Sequence, residues 1–173
     1  VLVICPPAVT LQWQEELDQR FGLQFDLYDR DFVAARRRER GWGVNPWLTS
    51  SRFIVSTTLL RGRRSRKQKG VPRTDHTELL LSAFPQRIPR ILLIFDEAHH
   101  AAPATASRWA IDSRTTRAMR AITERFEHRL FLSATPHNGL SNSFSSLLQL
   151  LDPQRFTRGT AVRGVEELEP VMV

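Results

Sequence analysis

Two adjacent carboxylates, Asp96 and Glu97, follow an unbroken apolar run from Ile91 to Phe95. Such a run, with Pro89 just before it, predicts a strand buried on both faces of a parallel sheet. Ligands of open α/β sheets bind beyond the carboxyl ends of the strands. Mg²⁺ takes oxygen ligands, usually one or two carboxylates plus substrate phosphates. One carboxylate can therefore hold a metal ion while its neighbour orients or deprotonates water. A solvated acidic turn is the alternative interpretation.

The composition is that of an ordinary globular protein, with 173 residues, 41% hydrophobic and 25% charged. This length suits one domain with a sizeable core. No stretch approaches the roughly 18 apolar residues of a membrane span, so we expect no membrane partner. The single Cys5 excludes an internal disulfide, fits a reducing compartment, and is expected to be a small buried residue at a strand end. Val1–Cys5 lacks a Met and a basic leader, and we expect the chain to be a fragment.

The net charge of +7 is concentrated in one segment. Residues 61–73 carry no acid and seven cationic side chains, namely Arg61, Arg63, Arg64, Arg66, Lys67, Lys69 and Arg73. Because these equal the net charge of the whole chain, the remainder is close to neutral. A basic run of this kind often contacts nucleic-acid phosphate. A solvated loop with no partner is an equally open interpretation.

Apolar periodicity predicts alternating strands and helices. Strands are predicted near residues 1–5, 24–28, 53–56, 91–95 and 130–133, and helices near 9–21, 31–40, 75–84, 113–126 and 143–151. This order predicts a mostly parallel sheet with helices on both faces, and polar residues after several strands should share one edge. In the loop after the second helix, we expect Trp42 and Trp47 to cover an edge of the core, although their rings could stack on bases. Residues 154–173 are interpreted as a tail or the start of a linker.

Four segments resemble, in order, the motifs of superfamily 2 helicases, in particular the Swi/Snf-type DNA-dependent ATPases. Cys5–Leu17 is similar to motif Ia, and Ser56–Leu60 is similar to motif Ib. Asp96-Glu97-Ala98-His99-His100 resembles motif II, the Walker B box of the DEAH kind. Leu132–Gly139 resembles motif III, and its Thr-Pro-His-Asn-Gly sequence is nearest to the bacterial RNA-polymerase-associated branch. The resemblance covers roughly residues 1–156.

The resemblance implies a RecA-like three-layer αβα sandwich that is incomplete at its N-terminus. Residues 1–153 would form part of the first, ATP-binding lobe, with a basic insertion at about 61–77. ATP and Mg²⁺ are the implied cofactors. Asp96 would bind Mg²⁺, Glu97 would activate the water that attacks the γ-phosphate, and His99 would link the nucleotide site to motif III.

The resemblance also implies residues that couple the nucleotide to nucleic acid. Ser133, Ala134 and Thr135 of motif III would couple nucleotide state to nucleic-acid binding. The residues that would lie along a bound backbone are Pro7, Thr10, Thr57 and Thr58, and the charge of the basic segment adds Arg61, Arg63 and Arg64 as candidate phosphate contacts. The implied partner is DNA in its double-stranded form, with RNA polymerase or a defence complex as a protein partner. The implied location is the prokaryotic cytoplasm, in association with the nucleoid.

Two parts of such an ATPase are missing from the sequence. A Walker A loop needs Gly-Lys-Ser/Thr to cradle the phosphates, but the only lysines, Lys67 and Lys69, do not follow a glycine. The second RecA-like lobe, which carries the arginine fingers, is also absent. We therefore expect the full-length protein to hydrolyse ATP and this chain alone to be inactive.

The sequence leaves three alternatives to an ATPase. The main alternative is a RecA-like module that binds nucleic acid without hydrolysing ATP. A hydrolase using Ser133 lacks the Gly-x-Ser-x-Gly elbow. A metal site is disfavoured because no His-x-x-x-His or Cys-x-x-Cys spacing occurs among Cys5, His76, His99, His100, His128 and His137.

Overall fold

The computed structural model describes residues 1–61, 75–86, 88–102, 113–135, 141–160 and 165–172. The strands are β1 (Leu2–Cys5), β2 (Asp26–Tyr28), β3 (Phe53–Ser56), β4 (Ile88–Asp96) and β5 (Phe126–Leu132). The helices are α1 (Thr10–Phe21), α2 (Arg30–Arg40), α3 (Thr57–Leu60), α4 (His76–Ala83), α5 (Arg114–Thr123), α6 (Ser141–Leu151) and α7 (Val165–Leu168). Short 3-10 turns span Pro7–Val9, Pro46–Leu48 and Ala98–Ala101. Most predicted elements are therefore present within a few residues of their expected bounds.

The strands form one sheet in the order β2-β3-β1-β4-β5. Every pairing between them is parallel. β1 is the central strand, with Leu2 opposite Phe53 on one side and opposite Leu93 on the other. The prediction of an α/β fold with a parallel sheet is confirmed.

Helices cover both faces of the sheet. Successive residues of a strand point to opposite faces, and in β1 the apolar residues on both faces are buried under helices. Val3 and Cys5 of β1 are fully buried in a cluster that includes Trp13 and Leu17 of α1. Leu2 and Ile4, the alternate residues, belong to a larger cluster with residues of α2, α4, α5 and α6, namely Val33, Leu80, Ile122 and Leu147. The result is a three-layer αβα arrangement, consistent with a RecA-like sandwich.

The two tryptophans of the loop after α2 have different environments. Trp47 is 2% exposed and stacks on Tyr28, with ring centroids 3.5 Å apart. Its indole N–H donates to the carbonyl of His76 at 3.1 Å, so the prediction that it covers a core edge is confirmed. Trp42 is 82% exposed, so the same prediction is wrong for this residue. The guanidinium of Arg37 lies 5.4 Å from the centre of the Trp42 ring.

One helix is shorter than its sequence pattern predicted. α5 ends at Thr123, and Phe126 opens β5 instead of closing the helix. Met119, Ile122 and Phe126 have helical spacing, and all three are buried. The spacing could not reveal the boundary because a buried residue just after a helix continues the helical pattern. β4 also begins before the apolar run, with a register shift between Ile88 and Leu92.

Part of the segment interpreted as a tail contacts the sheet domain. Phe156 is buried, and the N–H of Gly159 donates to the Ser145 hydroxyl of α6 at 2.9 Å. The end of the first lobe at residue 153 remains a prediction. Among the described residues, no helix has both the length and the apolar character needed to cross a membrane.

Candidate functional site at the carboxyl edge of the sheet

The sequence-predicted site residues follow four neighbouring strands. Motif Ia follows β1, motif Ib follows β3, motif II follows β4 and motif III follows β5. These strands are adjacent in the order β3-β1-β4-β5, and all run in the same direction. Their carboxyl ends therefore lie at one edge of the sheet, where open α/β sheets bind ligands.

Asp96 ends β4, and both of its carboxylate oxygens accept hydrogen bonds. Oδ1 accepts the backbone N–H of Glu97 at 2.9 Å. Oδ2 accepts the indole N–H of Trp13, on α1, also at 2.9 Å. Because the two donors come from different elements, this arrangement fixes the orientation of the carboxylate at the strand end.

Glu97 has an unusual backbone conformation, with φ 52° and ψ 46°. A residue other than glycine in this left-handed region costs of order 1–3 kcal/mol and persists only where its surroundings impose it. The 3-10 turn that follows imposes it here, since Ala98 and Ala101 are buried at 1% and 0% exposure. The chain therefore reverses sharply after Asp96, and the Glu97 side chain stays at the edge of the sheet.

The Glu97 carboxylate lies beside His99. Its Oε2 is 3.0 Å from His99 Nδ1, which is an ion-pair distance. The contact lacks hydrogen-bond geometry, and Oε2 is buried with no hydrogen-bond partner among the described residues. A buried acceptor without a donor is costly. The contact with His99 therefore holds this oxygen inside the fold, while the Glu97 side chain as a whole stays 38% exposed.

His99 also connects the ends of β4 and β5. Its Nδ1 forms a hydrogen bond with the Ser133 hydroxyl at 3.2 Å. Ser133 Oγ in turn accepts the backbone N–H of Thr135 at 3.3 Å. Ala134 and Thr135 are exposed at this edge. Asp96, Glu97, His99 and Ser133 are thus joined in a continuous set of contacts, whereas the rest of motif III, residues 136–139, lies outside the described residues.

Cys5 ends β1, the strand that pairs with β4, and Asp96 ends β4. The residue is 0% exposed, which confirms the prediction of a buried strand-end cysteine. Burial, and then the negative charge of Asp96, raise the pKa of the Cys5 thiol to about 12. The thiol therefore remains neutral at physiological pH, and it neither repels the carboxylate nor acts as a thiolate ligand.

The residues predicted to contact nucleic acid follow β1 and β3, two adjacent strands of the sheet. Pro7 is exposed, and the Thr10 hydroxyl donates to the Pro7 carbonyl at 3.1 Å. Thr57 and Thr58 open α3, which the Ser56 side chain caps by accepting the N–H of Leu59. Arg61 is exposed at the end of α3. Arg63, Arg64 and the rest of the basic insertion at 62–74 lie outside the described residues.

The donor set fits magnesium better than a soft metal. Asp96 offers carboxylate oxygens whose orientation is fixed, and Mg²⁺ needs only one or two carboxylates when substrate phosphates and water complete its shell. Within the described ranges, no three His, Cys, Asp or Glu side chains cluster as a metal site. Such a cluster is what a protein-only zinc site requires.

The parallel sheet, its two helix layers and this polar edge define an α/β lobe of the RecA-like kind. No protein-family model matches the chain. Over 158 residues, 90% of the chain, the sequence is 32% identical to RNA polymerase-associated protein RapA of Cronobacter sakazakii (strain ATCC BAA-894). The similarity supports the Swi/Snf-type helicase superfamily that the motifs resemble. The chain spans 14% of the length of that relative.

Sequence reasoning missed the role of one residue at this edge. Trp13 is an apolar residue of α1, yet its indole N–H reaches Asp96, 83 residues away in sequence. The ring itself packs against the α1 side of the sheet, as its apolar character predicts. Its position within the motif Ia segment was the available signal.

Proposed function

We propose that this chain is part of the first RecA-like lobe of an ATP-dependent, DNA-stimulated helicase-like translocase or remodeller. It supplies motifs Ia, Ib, II and III of the motor. The Walker A loop and the second lobe come from segments outside these 173 residues. In this proposal the full-length protein hydrolyses ATP, and the chain alone does not.

One observation carries this proposal, namely the contacts among Asp96, Glu97, His99 and Ser133. A carboxylate held by two N–H donors stands next to a second carboxylate, which contacts His99 at 3.0 Å and is 38% exposed. A metal-dependent hydrolysis needs these two functions side by side, one group to bind the metal and one to activate water. The His99–Ser133 hydrogen bond then connects this pair to the next strand end.

The chemistry follows from these positions. When bound, Mg²⁺ would neutralise the negative charge that develops on the phosphate. Asp96 would hold the ion, because each of its oxygens keeps a free lone pair beside its N–H donor. Glu97 orients the attacking water and accepts its proton. The His99 imidazole contacts the Glu97 side chain at 3.0 Å. A movement of Glu97 therefore shifts the imidazole and, through the hydrogen bond of the imidazole, the Ser133 hydroxyl.

In this proposal, nucleic acid runs along the same edge. Pro7, Thr10, Thr57 and Thr58 contact the phosphate backbone of double-stranded DNA, and the basic insertion adds charge. Backbone contacts position a protein without reading sequence, so we expect no sequence preference. The name of the RapA relative makes RNA polymerase a proposed protein partner. We place the protein in the prokaryotic cytoplasm, in association with the nucleoid.

The test is ATP hydrolysis by the full-length protein with and without double-stranded DNA. We expect DNA to stimulate hydrolysis in the wild type and Glu97→Gln to abolish it. Glu127→Gln, which changes an exposed glutamate of β5, is the matched control and should retain wild-type activity. Loss of activity in both variants, or equal activity in both, would contradict the role proposed for Glu97.

A module that binds nucleic acid without turnover is the second candidate. It is favoured by the absence of a Gly-Lys-Ser/Thr loop from this sequence. In that case the full-length wild type would bind DNA and show no ATP hydrolysis. The same assay, combined with a DNA-binding measurement, therefore separates the two functions.

A further inference from the structure

Trp13 contacts Asp96, the proposed magnesium ligand, from α1, the helix that covers one face of the sheet. The residue lies on α1, half-buried, in the cluster formed by Val3, Cys5 and Ile54. From there its indole N–H donates to Asp96 Oδ2 at 2.9 Å. An indole has one N–H and accepts nothing, so the bond has a single possible direction.

The position of Trp13 is fixed by the rest of α1. The neighbouring Gln14 side chain donates to the carbonyl of Phe25 at 2.7 Å, which ties the helix to the chain entering β2. Leu17, one turn further along α1, packs in the same cluster as Trp13. The indole therefore presents its N–H from a packed helix and not from a mobile loop.

The two donors on Asp96 have different origins. Glu97 N–H belongs to the turn that immediately follows Asp96, so it moves with the carboxylate. Trp13 N–H comes from a separate element, so it fixes the rotation of the carboxylate relative to the sheet. Groups that hold a metal ligand in this way usually change metal affinity or activity by 10–100-fold when they are removed.

We propose that Trp13 is a positioning residue that orients the Asp96 carboxylate for magnesium. The inference rests on the proposed function, since it assigns a second residue to the same magnesium site. Oδ2 keeps a free lone pair beside the indole N–H, so the hydrogen bond and the metal ion can be present together. Without the indole N–H, Asp96 can still bind magnesium, but its carboxylate is no longer held in one orientation.

The test measures the magnesium dependence of nucleotide binding, not turnover. The full-length protein is titrated with Mg²⁺ in the presence of a non-hydrolysable fluorescent ATP analogue. Two variants remove the N–H, namely Trp13→Phe and replacement of Trp13 by benzothienylalanine, in which sulfur takes the place of the indole N–H. The second variant keeps the size of the ring system, so it preserves the packing of α1.

Trp47→Phe is the matched control. Trp47 is a second tryptophan whose indole N–H is bonded, in this case to the carbonyl of His76, and it is more deeply buried than Trp13. Its loss removes a comparable hydrogen bond far from Asp96 in the fold. A general effect of losing a buried indole would therefore appear in this variant as well.

We expect both Trp13 variants to need about tenfold more Mg²⁺ for half-maximal nucleotide binding. Trp47→Phe should match the wild type. Wild-type magnesium dependence in the benzothienylalanine variant would overturn the inference while leaving the proposed function intact. A wild type that shows no magnesium-dependent nucleotide binding would overturn the proposed function, and the inference with it.

Discussion

The hydrogen bond between His99 and Ser133 is expected to couple the two residues energetically. It is 3.2 Å long, half-buried, and joins the ends of two adjacent strands. Ser133→Ala removes it, along with the bond that Ser133 Oγ accepts from Thr135 N–H. His99→Ala removes it, along with the contact to Glu97. A double-mutant cycle isolates the shared bond, because the other losses cancel.

The magnitude follows from the strength of one hydrogen bond. A typical intramolecular hydrogen bond contributes about 0.5–1.5 kcal/mol, which corresponds to roughly a 2- to 12-fold change in rate. We therefore expect Ser133→Ala to lower the DNA-stimulated kcat of the full-length protein by that factor. In the His99→Ala background, the same substitution should lower kcat by a smaller factor, because only the bond from Thr135 N–H is then lost.

The control cycle pairs Ser133→Ala with His128→Ala. His128 is exposed on β5, five positions before Ser133. These two substitutions should be additive in their effect on the activation free energy. Additivity in the His99–Ser133 cycle as well would refute the reasoning, since it would mean that the hydrogen bond does not connect motif II to motif III.

Two further predictions concern Cys5 and the basic insertion. The thiol ionises near pH 9 when the chain is unfolded but only near pH 12 when folded, so its contribution to stability is complete below pH 9 and is lost as the pH rises towards 12. Thiolate absorbance near 240 nm should be absent at pH 10 from the native 173-residue chain, with Cys5→Ala as the blank, and should appear in urea. Replacing Arg63 and Arg64 with Gln should reduce the slope of log K against log salt for DNA binding by about 1.8, from roughly 0.9 per phosphate contact; an unchanged slope would exclude these two contacts.

The strands and the shared edge could be predicted from sequence because of strong local signals. The apolar run before Asp96 is fully buried on one face of the sheet, at Leu93 and Phe95, but only half-buried on the α1 face, at Ile94. Strands that alternate with helices form a parallel sheet, and the carboxyl ends of parallel strands lie at one edge of that sheet. The alternation therefore predicted which segments share an edge without any knowledge of side-chain contacts.

The contacts within the site could not be predicted in the same way. The bond from Trp13 to Asp96 depends on how α1 packs over β1 and β4, which no periodicity encodes. The left-handed conformation of Glu97 is equally invisible, because glutamate has no preference for that region. Both features arise from tertiary packing, and they orient the carboxylates that the sequence had already indicated.

The same limit explains the wrong expectation for Trp42. Trp42 and Trp47 lie in one short loop, and hydrophobicity alone cannot separate them. Trp47 reaches Tyr28 and Phe53 because the turn at Pro46–Leu48 directs it inward, where Asn45 caps the turn. Trp42 follows Gly41, whose φ of 88° ends α2 and leaves the next residues outside the core.

The central claim is that Glu97 activates water and does not hold the nucleotide. The most direct measurement compares ATP binding and single-turnover hydrolysis in the full-length protein, for the wild type and Glu97→Gln, with DNA present. We predict that the variant binds magnesium and ATP with wild-type affinity while hydrolysis falls by about 100-fold or more, as expected for loss of a general base. Wild-type hydrolysis by the variant, or a loss of nucleotide binding that accounts for the whole defect, would contradict this account.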